Sequence, residues 1–178
     1  GAAGDEGAFK ATHVGATGEA VTDGGVGLHC FGPKPWGIGV DHGLRPTTDK
    51  LRVTRADKNV VHELDGRPAF DVYREHAKKR GVSLEPETGG SFLIGNELGI
   101  YFFEQLHRPR APVSVGAAGE LVGGGEIPEG ASVCILDGEP DSMVAAAGRA
   151  AEQARRGLVG EKAGAVLVFR CGWRGMVL

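Results

Sequence analysis

An α+β fold, mainly antiparallel sheets of short strands packed against two principal helices, is what this sequence predicts. Three features predict it. Short apolar or alternating runs follow one another without intervening helical stretches, which favours antiparallel pairing. Two longer stretches, opening near Pro68 and Pro140, carry apolar residues at helical spacing. Glycine supplies 31 of the 178 residues, scattered between apolar runs, where an average chain uses about 7%. That scatter marks a turn-rich sheet rather than a repeat or a disordered tract.

In chain order, residues 8–14 predict a strand, 15–18 a turn, and 21–23 and 26–31 two further strands broken by Gly24-Gly25. Pro33-Lys34-Pro35 is a stiff loop, because proline fixes its own backbone angle and restricts its neighbour. Residues 36–40 return to extended chain, and 41–46, DHGLRP, form a polar turn carrying His42 and Arg45. The most ordered stretch is 51–73, LRVTRADKNVVHELDGRPAFDVY. Residues 51–55 alternate apolar and polar, 56–59 turn, and 60–64 resume extended chain with β-branched residues. Asp65-Gly66 breaks that strand, and Pro68 opens a helix where its missing N–H costs nothing. Ala69, Phe70, Tyr73 and Ala77 make its buried stripe, and the cations at 78–80 with Gly81 end it.

Residues 85–90, EPETGG, are the candidate domain boundary. Beyond them 92–94 and 99–103 read as strands, 108–112 as a stiff connection, 113–122 as a hairpin about Ala118-Gly119, and 132–136 as a strand. A second helix starts at 140–142, capped by Asp141 or Ser142. Met143, Ala147, Ala150, Ala151, Ala154 and Leu158 form its buried stripe. Residues 165–169, AVLVF, predict a strand buried on both faces.

Twenty basic against 23 acidic residues argue against a role driven by bulk attraction to nucleic acid or to a membrane surface. No apolar run approaches the roughly 18 residues that a membrane span needs, and no charged-then-apolar leader opens the chain. Cys30, Cys134 and Cys171 are odd in number and far apart, as in a reduced, cytoplasmic protein.

Motifs of chemistry are sparse. No phosphate-binding G-x-x-x-x-G-K-[ST] occurs, and Gly25-Val26-Gly27 is followed by Cys30 where a dinucleotide loop needs glycine. His29 and Cys30, adjacent on a strand, would point to opposite faces, and no metal-ligand spacing occurs. Cys171 has Arg170 and Arg174 as neighbours that would lower its pKa; no acid or base pairs with it, so the bland reading is a strand-end thiol. His42 beside Arg45 has the makings of a carboxylate site or a haem ligand, against the ordinary behaviour of a polar turn. His13 and His62 fall on strands, His76 on the outer side of the first helix and His107 in a loop. No enzyme mechanism can be written from these residues.

Several stretches together resemble the FIST family of intracellular signal-transduction domains: GAAGD, residues 14–31, GVDHGLRP, the L-D-G-x-P-A segment leading into the first helix, VGGGEIPEGASVCILDGEPDSMVAAAGRAAEQA, and VLVFRCGWRGMVL. On that resemblance residues 1–84 are the C-terminal portion of a FIST N-type region and 85–178 the N-terminal portion of a FIST C-type region. Segments of both regions are expected beyond Gly1 and Leu178. Trp173 departs from a position that is usually small or apolar. The resemblance implies a cytoplasmic sensory domain that binds a small ligand such as an amino acid and is not an enzyme. It would pass its signal to a kinase or another output protein. A haem-binding nitric-oxide sensor, with His42 as the ligand, and a protein-interaction adaptor are the alternatives. The ligand-binding residues carried over are His42, Asp65, Gly66, Arg67, Cys171 and Arg174, with Arg45 added from its place beside His42.

Overall fold

The computed structural model describes residues 10–103 and 105–172. The chain divides into two compact units, one made of Gly1–His42 and Val144–Leu178, the other of Gly43–Met143. The architecture is α+β, and every strand pairing is antiparallel.

In the first unit, β1 (Val14–Ala16) and β2 (Glu19–Val21) form a two-stranded hairpin. Residues 8–9 of the strand predicted at 8–14 lie outside the described residues, and of the rest only Val14 is strand, because Thr17 and Gly18 take the left-handed backbone of the turn and place the pairing after His13. Residues 26–31 are irregular and exposed, since no strand pairs with them among the described residues.

The second unit holds a nine-stranded sheet. Its members before the first helix are β3 (Arg45–Pro46), β4 (Leu51–Asp57), β5 (Val60–Leu64) and β6 (Arg67–Pro68). β4 runs two residues further than its pattern predicts, so the turn is only Lys58-Asn59, with Lys58 at φ +54. Register shifts between Val53 and Ala56 let the longer strand keep its phase: Val53 is fully buried and Ala56 packs on the core. Helix α1 (Ala69–Lys79) follows Pro68, with Ala69, Phe70, Tyr73 and Ala77 buried as expected. His76 is buried too, at 7% exposure, which corrects its predicted outward position.

Residues 92–94 belong to the short helix α2 (Gly90–Gly95) rather than to a strand. The preceding turn residues and Gly89 carry the chain into a helical turn, and Leu93 N–H bonds the Gly89 carbonyl at 2.9 Å. β7 (Leu98–Phe102), β8 (Gln105–Arg110), β9 (Pro112–Val115), β10 (Leu121–Gly123) and β11 (Ser132–Asp137) complete the sheet. The predicted connection at 108–112 is largely strand. Pro109 sits at the sheet edge, where its missing N–H is tolerated, and His107 lies in β8, not in a loop. The hairpin between β9 and β10 turns about Ala118-Gly119 as its sequence predicts. The sheet order is β8-β7-β11-β4-β5-β10-β9, with β3 beside β11 and β6 beside β5. One core joins the sheet to α1 and α2, with Leu64, Phe70, Tyr73, Leu93, Leu98, Leu121, Ile127 and Ile135 at its centre.

Helix α3 (Pro140–Gly157) begins in the second unit and continues into the first. Met143 and Ala146 are buried and Ala150, Ala154 and Leu158 half-buried, while Ala147 and Ala151 are exposed. The stripe is narrower than predicted because glycines, not bulky side chains, pack on it. A methyl group at Gly37 would overlap the carbonyl of Ala154, and one at Gly39 the carbonyl of Ala150. Residues 165–169 are irregular, with Val166, Leu167, Val168 and Phe169 exposed. Their composition favours extended chain, but burial on both faces needs partner strands, and none pairs with them among the described residues. No helix among the described residues is long and apolar enough to cross a membrane.

Candidate functional site

The predicted site residues are distributed over both units. His42 is half-buried and Cys171 exposed in the first unit, and Arg174 lies outside the described residues. Arg45, on β3 of the second unit, is exposed. Asp65, Gly66 and Arg67 stand together in the turn from β5 to β6, where they do structural work. Asp65 and Gly66 take φ of +49° and +71°, the geometry of a tight two-residue hairpin turn. The Asp65 carboxylate accepts the Arg52 N–H at 2.7 Å, and the Gly66 N–H donates to Thr54 Oγ1 at 2.9 Å. Arg67 pairs with Glu75 of α1 at 2.9 Å. This turn therefore clamps β4, β5 and α1 together, with the ligand-capable groups already engaged.

Among the described residues of the second unit, two concavities stand out, and none of the predicted residues lines either. The smaller, of about 200 Å³, is bounded by Arg52, Val53, Thr54, Glu129 and Gly130. The larger is an open groove of about 430 Å³ at the C-terminal half of α1, lined by Arg74, Lys78, Gly81, Val82, Ser83, Leu84 and Glu85. Its construction follows from the helix stop. Gly81, at φ +75°, turns the chain back, and Val82 N–H reaches the Ala77 carbonyl at 2.9 Å, so residues 82–85 run along the helix end. Leu84 is buried in the core and Val82 is partly exposed, which gives the groove an apolar floor.

Charge surrounds that floor. Arg74 lies over the Phe70 ring at 4.9 Å and pairs with Asp71 at 2.8 Å. Lys78 makes no ion pair among the described residues, although its neighbours Lys79 and Arg80 are held by Glu75 and Asp137 at 2.9 and 2.7 Å. The backbone N–H groups of Ser83, Leu84 and Glu85 donate no backbone hydrogen bond among the described residues. Glu85 supplies an anion on the same rim, where the carbonyl end of α1 also favours positive charge. Such a groove can take a small molecule with a carboxylate toward Lys78, an ammonium toward Glu85 and an apolar body between them. Sequence reading missed it because the cations at 78–80 are also the ordinary signature of a helix end. The available signal was Arg74 and Lys78 four residues apart on one helix face.

Beneath α1 lies a second polar group. The Tyr73 hydroxyl donates to the Asn96 carbonyl at 2.9 Å, and Asn96 Nδ2 donates to the Phe92 carbonyl at 2.9 Å. His76 Nε2 and Asn96 Oδ1 are buried without a partner among the described residues. Burial raises the Tyr73 phenol well above its ordinary range, helped by Glu97 and then Cys134. Burial likewise lowers His76, against the pull of the Asn96 side chain. Burial pushes Glu97 up to about 7, which Arg110 only partly offsets. The legible signal was an Asn-Glu pair inside the apolar run FLIGNELGIYF. No group of three or more His, Cys, Asp or Glu side chains able to hold a metal ion occurs among the described residues.

Comparison with known proteins follows the chain from end to end. Residues 1–67 match the FIST N domain and residues 69–178 the FIST C domain, a family associated with signal transduction and small-ligand sensing. An uncharacterized protein of Methanocaldococcus jannaschii is 39% identical over 75 residues, which are 42% of this chain and 15% of that protein. The chain thus matches only a minor part of that relative's length. No solved structure matches. With the two models meeting at Arg67 and Ala69 and spanning nearly every residue, the chain belongs to the FIST family.

Proposed function

We propose that this chain binds a small zwitterion of the amino-acid type, as the sensory part of a cytoplasmic signalling protein, and relays its occupancy to an output protein without chemical turnover. The observation that carries this reading is the α1 groove. An ammonium with no ion pair among the described residues (Lys78) and a carboxylate (Glu85) flank an apolar floor in a volume of about 430 Å³, room for one small solute and not for a macromolecule. Membership of a sensing family supports the same reading. The ligand's carboxylate lies toward Lys78 and Arg74, and its ammonium toward Glu85 and the helix carbonyls.

Thermal-shift titration with the individual amino acids tests it, on the wild type and on Lys78→Met and Glu85→Gln. At least one amino acid is expected to raise Tm, by a few degrees at about 100-fold excess over Kd, and each substitution is expected to cancel that rise. No response to any amino acid at millimolar concentration, or a response that both variants retain, overturns the proposal.

A further inference from the structure

Residues 36–40, Trp-Gly-Ile-Gly-Val, lie along α3 in the first unit with their small residues inward. Methyl groups at Gly37 and Gly39 would overlap the carbonyls of Ala154 and Ala150, and one at Gly157 would meet Gly37 Cα at 2.7 Å. Two residues of extended chain advance roughly 6.6 Å, close to the roughly 5.4 Å of one helical turn. Alternate residues of the segment therefore fall on successive turns of α3, and the residues between them point away. The Val40 N–H, donating to Gln153 Oε1 at 3.1 Å, fixes the segment on the helix.

The residues that point away are Trp36, Ile38 and Val40, exposed to 61%, 82% and 79%. One face of the segment is thus seated on α3 without a gap, and the other is an apolar stripe in solvent. Three large apolar side chains in a row on one exposed face mark a surface that a partner covers.

Charge decides which partner. An ion pair stands at each end of the stripe, Lys34 with Glu161 at 2.8 Å and Asp41 with Arg149 at 2.8 Å. The stripe between them carries no charge, so a charged partner segment would lose hydration against it. A second copy supplies an equally uncharged stripe. Laid face to face and antiparallel, about a two-fold axis through Ile38, the copies set Trp36 against Val40 twice. The same arrangement turns Lys34 of one copy toward Asp41 of the other at both ends. A parallel arrangement would set Lys34 against Lys34 and Asp41 against Asp41, which repels.

We propose that residues 36–40 form the seam of a two-fold dimer of this chain, antiparallel about Ile38, with Trp36 as its anchor. Three side chains from each copy make a small interface, so the dimer is weak and depends on concentration. No residue of the α1 groove takes part.

Sedimentation velocity of the full chain, from micromolar to sub-millimolar concentration, tests the seam. The wild type is expected to pass from monomer to dimer over that range. Ile38→Asp, at a position exposed to solvent, is expected to stay monomeric with an unchanged Tm. A wild type that stays monomeric throughout, or an Ile38→Asp chain that dimerises like it, overturns the proposal. Cross-linking with a short bis-maleimide, in a Cys30→Ser and Cys171→Ser background, reads the direction independently of that variant. Ile38→Cys chains are expected to be joined readily. Trp36→Cys chains are expected to resist, since four residues of extended chain, about 13 Å, separate their sulfurs along the seam. Failure of Ile38→Cys to cross-link, or equal cross-linking of Trp36→Cys, overturns the antiparallel seam.

Discussion

A methyl group at Gly39 would overlap the Ala150 carbonyl, whereas one at Gly27 would meet nothing within 4 Å. The same residue type thus serves close packing at one position and nothing visible at the other. At Gly39 the missing Cβ lets the chain lie on α3, where Val40 N–H donates to Gln153 Oε1 at 3.1 Å and Asp41 pairs with Arg149 at 2.8 Å. Gly39→Ala is expected to destabilise by about 1–3 kcal/mol, the cost of overpacking a tight contact, and to make the 34–42 segment protease-sensitive. Gly27→Ala leaves both unchanged. Chemical denaturation and limited proteolysis of the pair measure this. Equal behaviour of the two variants would mean that the segment does not rest on α3. From the sequence alone these two glycines are indistinguishable, since each sits between apolar residues.

At the scale of elements, α1 was legible because its signals agree with one another. Pro68 starts it, Phe70 and Tyr73 face inward, and cations with Gly81 close it. The β5–β6 turn was equally legible, since Asp-Gly supplies the left-handed backbone that a two-residue hairpin needs. Elements whose fate depends on partners were not. Residues 92–94 and 165–169 have the same apolar character, yet one is helix and the other exposed, irregular chain. Tyr73 separates packing from hydrogen bonding within α1. Tyr73→Phe keeps the buried ring but strips the Asn96 carbonyl of its donor, an expected loss of about 1–2 kcal/mol. Phe70→Ala leaves a cavity, with an expected loss of about 3–5 kcal/mol. Urea titration of both variants checks the order. A larger loss for Tyr73→Phe would show that the buried hydrogen bond, not ring packing, anchors the helix.

At the scale of the whole chain, two desolvated groups act on stability with opposite dependence on pH. Glu97 is raised from its ordinary 4.5 to about 7, so its contribution is fully present below about 4.5 and is lost as pH rises through 7. That shift corresponds to roughly 3 kcal/mol at its upper limit. His76 is lowered from its ordinary 6.5, so the native state favours the neutral ring, and stability falls as pH drops below 6.5. Below about pH 6.5 the two effects oppose each other, and between about 6.5 and 7 the Glu97 loss acts alone, so the urea midpoint is expected to decline there. Glu97→Gln should remove that decline. A wild-type midpoint that climbs steadily from pH 5 to 8 would contradict the Glu97 assignment.

The sequence by itself determined the fold class, the family, the α1 hairpin unit and the turn chemistry, because each rests on neighbours within a few residues. Only the tertiary structure decided that Asp65, Gly66 and Arg67 clamp strands and helix together. It also decided that the larger concavity belongs to Arg74, Lys78 and Glu85, that His76 of α1 is buried, and that Glu97 is desolvated. The physical reason is that desolvation, ion pairing and concavity depend on which distant segments come to lie against a residue, and a linear pattern carries no record of those neighbours.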